Sequence, residues 1–184
     1  MPAPNAVGPG RPVALLSAEI RRIPKAGSRI DGEIAGRVLN RCVLACIEIL
    51  SGENVPVDLA GTVVRPVVEA TFSGHDGSVR SARAALAIAR AVTEVQRVSE
   101  HEFHVFGAIA AGSLSRSEAG ATLTAGAPDQ VAAQLREHAA AGEFLLSELV
   151  WRSCDHSVGV VGPPIEVPLP GGTPIAAYPL TDPT

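Results

Sequence analysis

Aromatic side chains are scarce in this chain, at 3% of 184 residues, with one tryptophan, Trp151, and one tyrosine, Tyr178. Helix packing built from alanine and β-branched residues should therefore be close, with a modest core volume. Cysteine is scarce too. Cys42 and Cys46 lie four apart in an apolar periodic segment and Cys154 stands alone, so a disulfide framework is excluded. Two thiols on one buried helical face fit the C-x3-C spacing better than a metal site, since no further ligands lie nearby. Positive charge is short as well: the net charge is −4, the pI is near 5.7, and no long basic tract argues for nucleic acid. No run approaches the ~20 apolar residues of a membrane span. The start carries Pro2, Pro4, Pro9 and Pro12 in place of a signal-peptide core, and a reducing cytoplasm is the expected compartment.

Common motifs are missing in turn. No Gly-rich loop joins the first strand to a helix, no P-loop follows, and no Gly-x-Ser-x-Gly elbow appears. The five histidines, His75, His101, His104, His138 and His156, form no metal spacing.

What is present is a strong alternation of strand and helix signals in one domain of 46% apolar residues. Residues 1–11 form a Pro/Gly-rich tail expected to be disordered, and 12–184 form the domain. Pro12 to Ile20 reads as a central strand buried on both faces. A polar loop over Arg21 to Arg29 precedes a helix that starts at Asp31, a good N-cap, and stops at Ser51-Gly52. Its apolar stripe is Ile34, Val38, Cys42, Cys46 and Leu50.

The segment Gly61–Gly74 reads as two apolar strands around a turn, with Glu69 at the bend and Pro66 at a bulge or edge. A carboxylate there is either a solvated turn residue or a ligand for something positive. A second long helix spans Asp76 to Val98, buried through Val79, Ala82, Leu86, Ala89 and Val92, with Arg80, Arg83, Arg90 and Arg97 on a solvated face. Phe103 to Gly112 is a strand, Leu114 to Gly126 a shorter one beside it, and Asp129 to Ala140 a third helix. Glu143 to Ser147 is a buried strand whose Ser147 caps a short helix through Trp151. Brief strands follow at Val158–Val161, Ile165–Leu169 and Ile175–Leu180. The order β-α-ββ-α-β-β-α-β predicts an α+β sandwich, a mixed sheet with helices against one face.

Five fragments in that order resemble the catalytic domain of class III nucleotide cyclases, from about Pro12 to Leu180. Val13-Ala-Leu-Leu-Ser-Ala-Glu-Ile20 is similar to the family's first strand, which usually ends Phe-Ala-Asp-Ile. Val63-Val-Arg-Pro-Val-Val-Glu-Ala70 is similar to the hairpin Val-Val-Lys-Thr-Ile-Gly-Asp-Gly. Ala82-Arg-Ala-Ala-Leu-Ala-Ile-Ala89 and Gly142-Glu-Phe-Leu-Leu-Ser-Glu148 follow the family's Arg-Ala-Ala-Leu-Ala-Ile and Gly-Glu-Ile-Leu-Val-Ser-Glu. Val105-Phe-Gly-Ala-Ile-Ala-Ala-Gly112 stands where Val-Arg-Val-Gly-Ile-His-Thr-Gly is usual.

The resemblance implies a ferredoxin-like, mixed and mostly antiparallel sheet packed with helices. It also implies a head-to-tail dimer that turns ATP or GTP into the 3′,5′-cyclic nucleotide with two divalent metals, a phosphorus–oxygen lyase reaction of cyclic-nucleotide signalling. The family's metal aspartates fall on Glu19 and Glu69. Its purine-reading lysine and aspartate fall on Arg65 and Leu123, and its transition-state asparagine and arginine on Gln130 and Gln134. All six are substituted.

Metal ligands can adapt to a longer carboxylate, but Gln134 carries no charge and Leu123 accepts no hydrogen bond from a purine. The expectation is a degenerate, bacterial-type cyclase homology domain, a pseudoenzyme with no cofactor. It would act as a homodimer, in a heterodimer with another cyclase domain, or by binding a partner or purine nucleotide. The alternative is a divergent working cyclase that uses Mg²⁺ or Mn²⁺ on Glu19 and Glu69.

Overall fold

The computed structural model describes residues 11–24, 31–97, 102–116, 122–125, 128–154 and 158–181, without the side chains of 114–116, 122–125 and 160. Strand β1 (Arg11–Arg22) leads to helix α1 (Gly32–Gly52), the hairpin β2 (Val57–Thr62) and β3 (Arg65–Ser73), and helix α2 (Gly77–Arg97). Then come β4 (Phe103–Arg116), β5 (Thr122–Ala125), α3 (Pro128–His138), β6 (Phe144–Ser147) and the short α4 (Glu148–Ser153). Strands β7 (Val160–Val161), β8 (Ile165–Val167) and β9 (Ile175–Thr181) close the chain. Residues 1–10 of the expected tail, His101 and His156 lie outside the described residues, while Arg11 belongs to β1.

The strands form one sheet in the order β2-β3-β1-β4-β6-β9-β7, with β5 on β4 and β8 on β9. Among the described pairs only β4–β6 is parallel. That contact is close because Gly107 lies opposite Phe144, where an added methyl would stand 2.1 Å from Phe144 Cδ1.

Alternation along β1 and β4 divides the core between two faces. On one, Ala14, Leu16, Ala18 and Ile20 of β1 join Phe103, Val105 and Ile109 of β4 under α1, α2 and α4. On the other, Phe106, Ala108 and Ala110 join Ala132 and Leu135 of α3. The helices therefore cover both faces, not one. The reason is already in β4, whose residues 103, 105, 106 and 108 to 110 are all buried, which a one-sided layer cannot achieve.

Local details follow the chemistry of the ends. Asp31 caps α1, accepting from the backbone of Glu33 at 3.0 Å and Ile34 at 3.2 Å. Ile34 itself is 41% exposed, because the buried stripe begins a turn later at Val38. Arg83, Arg90 and Arg97 are exposed on α2, while Arg80 reaches Glu53 at 3.0 Å. The three cysteines are buried thiols, with burial raising the pKa of Cys42 and Cys154 to about 11 and of Cys46 to about 12. Ser147 begins α4 without a side-chain cap; its Oγ accepts instead from the Ala111 backbone at 3.3 Å.

One expectation changes in a way that matters for the site. Glu69 is not at the bend: the turn is Val63–Val64, and Glu69 lies midway along β3, opposite Asp58 and Ser17. The two valines left at the tip are 92% and 71% exposed. Pro66 sits at the start of β3, paired with β2 alone, where its missing N–H breaks no β1 ladder.

Candidate functional site

A strand delivers every second side chain to one face, so Ser17, Glu19 and Arg21 of β1 share the α3 side of the sheet with Leu15. The antiparallel register sets Ser17 against Glu69 and Glu19 against Val67, which brings both acids to the same patch from adjacent strands. Helix α3 crosses this patch and ends over it with Arg136 and Glu137.

The result is a cluster of three carboxylates and three guanidiniums. Glu19 is 2% exposed. Arg65 Nε donates to its Oε1 at 2.5 Å and Arg21 Nη2 to its Oε2 at 2.8 Å, while Arg136 Nε approaches Oε2 at 3.4 Å. Glu69 accepts from the Ser17 hydroxyl at 2.9 Å and lies 3.8 Å from Arg136 Nη1, which itself donates to Ser17 Oγ at 2.5 Å. Glu137 completes the ring, 3.1 Å from Arg21 and 3.7 Å from Arg65. Arg21 also lies over the Phe106 ring, 4.6 Å from its centroid.

These contacts decide the charge state of Glu19. Burial works to raise its pKa, but hydrogen bonds from Arg21 and Arg65, with their charges, outweigh it and hold the carboxyl below its usual value. The bond to Glu19 in turn raises Arg21 despite burial. A buried carboxylate is tolerated because its partners are fixed and hydrogen-bonded.

The six positions singled out in the sequence separate into three groups. Glu19, Glu69 and Arg65 meet in the cluster, with Arg65 turned onto Glu19. Gln130 and Gln134 face elsewhere, lining a cleft of about 440 Å³ with Val131, Ala133, Leu169 and Pro170. Leu123 pairs with Ser115 in β5, and its side chain lies outside the described residues.

Four members of the cluster were not singled out: Ser17, Arg21, Arg136 and Glu137. Arg21 falls where the sequence reads as a loop, but β1 runs on to Arg22 and so sets Arg21 on the face of Glu19; Arg136 and Glu137 carry no local signal, since nothing local says what a helix end will cross. A larger cavity of about 860 Å³ opens between Pro12, His75, Ala111, Ser147 and Pro174, toward the other end of β1. None of the cluster residues lines it, so size does not mark the chemistry here.

Among the described residues, no group of three His, Cys, Asp or Glu side chains is arranged to hold a metal. No described helix is long and apolar enough to cross a membrane. No protein-family model and no curated protein matches the chain in sequence.

Solved structures do match. The adenylyl cyclase CyaB from P. aeruginosa superposes with a TM-score of 0.69 at 14% identity, over 95% of each chain. This chain has the fold of a nucleotide cyclase catalytic domain. The guanylate cyclase domain of RhGC from Catenaria anguillulae, in complex with GTP, matches at a TM-score of 0.67 and 13% identity over 95% of this chain and 98% of that one. A dimeric guanylyl cyclase domain of a RhoGC fusion protein from Blastocladiella emersonii matches at 0.65 and 14% over 92% and 96%. The likeness covers at least 92% of this chain in each case, and the sheet face under α3 carries the charge cluster.

Proposed function

We propose that this cyclase-fold domain acts by association, with another cyclase-type chain or a nucleotide, and not by efficient cyclisation. Glu19 carries the reading. It stands where the cyclase resemblance puts a metal ligand, yet it is buried with each oxygen taken by an arginine of its own chain. Divalent-ion catalysis needs carboxylate oxygens free to coordinate, and magnesium accepts only near-ideal octahedral geometry at ~2.0–2.1 Å. Three guanidiniums around three carboxylates leave no net negative charge to attract such an ion. The donor set therefore does not fit the two metals of the family. Gln130 and Gln134 add neutral amides where the resemblance calls for a residue that orients the ribose and a cation.

A working cyclase is the second reading, and one observation favours it: Glu19 and Glu69 do converge from adjacent strands. Product assays decide between the two. With ATP or GTP and either magnesium or manganese, turnover far below ~1 s⁻¹ is expected, and a rate near that value overturns the proposal. Light scattering at tens of micromolar should give twice the chain mass for a homodimer like that of the dimeric Blastocladiella domain. A single-chain mass removes the homodimer and leaves pairing with a different chain.

A further inference from the structure

The chain leaves its parallel strand pair, β4 and β6, in opposite directions. The two lie parallel from Gly107–Phe144 to Ile109–Leu146, where the described ladder ends. Beyond it β4 continues to β5 and then α3, on the Phe106 face. Strand β6 turns instead into α4, whose Val150 is buried with the α1/α2 core. Parallel strands whose continuations part to opposite faces leave a crevice at their carboxyl ends. The cavity of about 860 Å³ opens there, lined by Ser113 of β4 and by Ser147 at the end of β6. Its walls come from both layers, with Ser78 of α2 on one side and Val131 of α3 on the other.

The lining narrows the chemistry. No lysine or arginine lines the cavity, so a phosphate would meet no guanidinium or ammonium there. Its one carboxylate, Glu148, is already paired with Arg152 a helical turn on. What remains is the His75 imidazole and serine hydroxyls among hydrocarbon walls such as Val13 and Ile175. Ser147 is the best placed of these. Where the ladder ends, its Oγ stands in for a backbone acceptor and receives the Ala111 N–H at 3.3 Å. Among the described hydrogen bonds it donates to nothing, so its own proton is left for an acceptor in the cavity.

The geometry points to this crevice as a binding site for an uncharged, mainly apolar small molecule with a carbonyl-type acceptor for the Ser147 hydroxyl. A cavity of this size holds a ligand of drug-like dimensions, and a few placed polar groups in apolar walls orient it. The site is separate from the charge cluster, none of whose residues lines it. Nor does it rest on how the domain treats nucleotides, since a triphosphate is what this lining rejects. A bound molecule would touch the α2/α4 layer and α3 together, and so stabilise the folded chain.

Benzamide is the probe, being flat, uncharged and carbonyl-bearing, with benzoate and inorganic pyrophosphate beside it. The full chain should bind benzamide with a Kd of about 1 mM, ordinary for so small a molecule, and melt higher when saturated. Backbone NMR shifts of Gly112, Ser147 and Ala176 should move, and those of Gln134 and Glu137 should stay. Benzoate should bind at least about tenfold more weakly, because its charge finds no partner, and pyrophosphate should move none of these shifts. Ser147→Ala should weaken benzamide about fivefold, the worth of one net hydrogen bond, without weakening toluene, which has no acceptor. Wild-type shifts that stay unmoved at about 10 mM benzamide, well above that Kd, overturn the proposal with no variant needed. So does benzoate or pyrophosphate binding as tightly, or a response confined to the Gln130–Gln134 cleft. A Ser147→Ala chain that loses both ligands alike, or neither, overturns the part given to its hydroxyl. Cyclic nucleotide made by wild type defeats the functional reading and leaves this inference standing.

Discussion

The two faces of β1 are made by one strand and differ in almost everything. Toward α1 and α2 it presents Ala14, Leu16, Ala18 and Ile20, none more than 1% exposed, against Phe72, Val68 and the helix interiors. Toward α3 it presents Ser17, Glu19 and Arg21, also largely buried, but in a network of charges. The first face is held by non-directional burial, which tolerates exchange of one apolar residue for another of like volume. The second is held by groups that each need a partner in place, and buried ion pairs add little net stability over apolar residues of the same shape. Cyclase folds elsewhere hold nucleotides, as the GTP complex of the Catenaria domain does. Here the polar face is closed on itself.

Mutations can break that comparison, and the apolar face should give the largest effect. Phe72→Ala, at a fully buried site, is expected to cost about 3–5 kcal/mol in urea unfolding. A loss under about 1 kcal/mol would mean that the α1/α2 layer is not the structural one.

Next comes the polar face itself. Glu19→Ala leaves Arg21 and Arg65 without their shared acceptor and Arg136 without a facing charge, and should cost about 1–3 kcal/mol, less than the phenylalanine because Arg65 is half exposed and can re-solvate. If the cost equals or exceeds that of Phe72→Ala, the two faces contribute alike and the contrast fails.

Acid sharpens it further. Because the folded carboxyl of Glu19 titrates below its ordinary value of 4.5, its contribution to stability is complete above that pH. It is lost as pH falls through the depressed folded value. Glu19→Gln should therefore flatten the acid side of the stability curve below 4.5, while Phe72→Ala should lower the curve without changing its shape. Parallel acid limbs for wild type and Glu19→Gln would show that Glu19 is not the group being titrated.

The smallest effect belongs to the hairpin tip. Val63→Ser with Val64→Ser should change stability by less than about 0.5 kcal/mol, since both side chains stand in water in the single chain. A larger, concentration-dependent loss would mean that a second chain covers the tip in solution.

Much of the scaffold was legible because periodicity is local. The α1 boundary at Asp31, the buried Cys42 and Cys46, and the positions of nearly every strand follow from i, i+2 and i, i+4 patterns. So does the order of elements that pointed to a cyclase-type sheet. Glu69 was misplaced because Val63 and Val64 looked like strand residues; two β-branched residues at a turn contradict propensity, and the hairpin register overrode it. The helices were expected on one face because the sequence of α3 gives no sign of which side it will cross.

Sequence alone determined that Glu19 would lie near the end of an apolar strand. Only the tertiary structure decided what the two glutamates meet. Strand register, acting across 52 residues between Ser17 and Glu69, brings the acids to one patch. The crossing of α3, acting across 119 residues between Ser17 and Arg136, lays a guanidinium between them. Charge satisfaction is a property of atoms within a few ångströms, and no spacing along the chain records which distant cation will arrive.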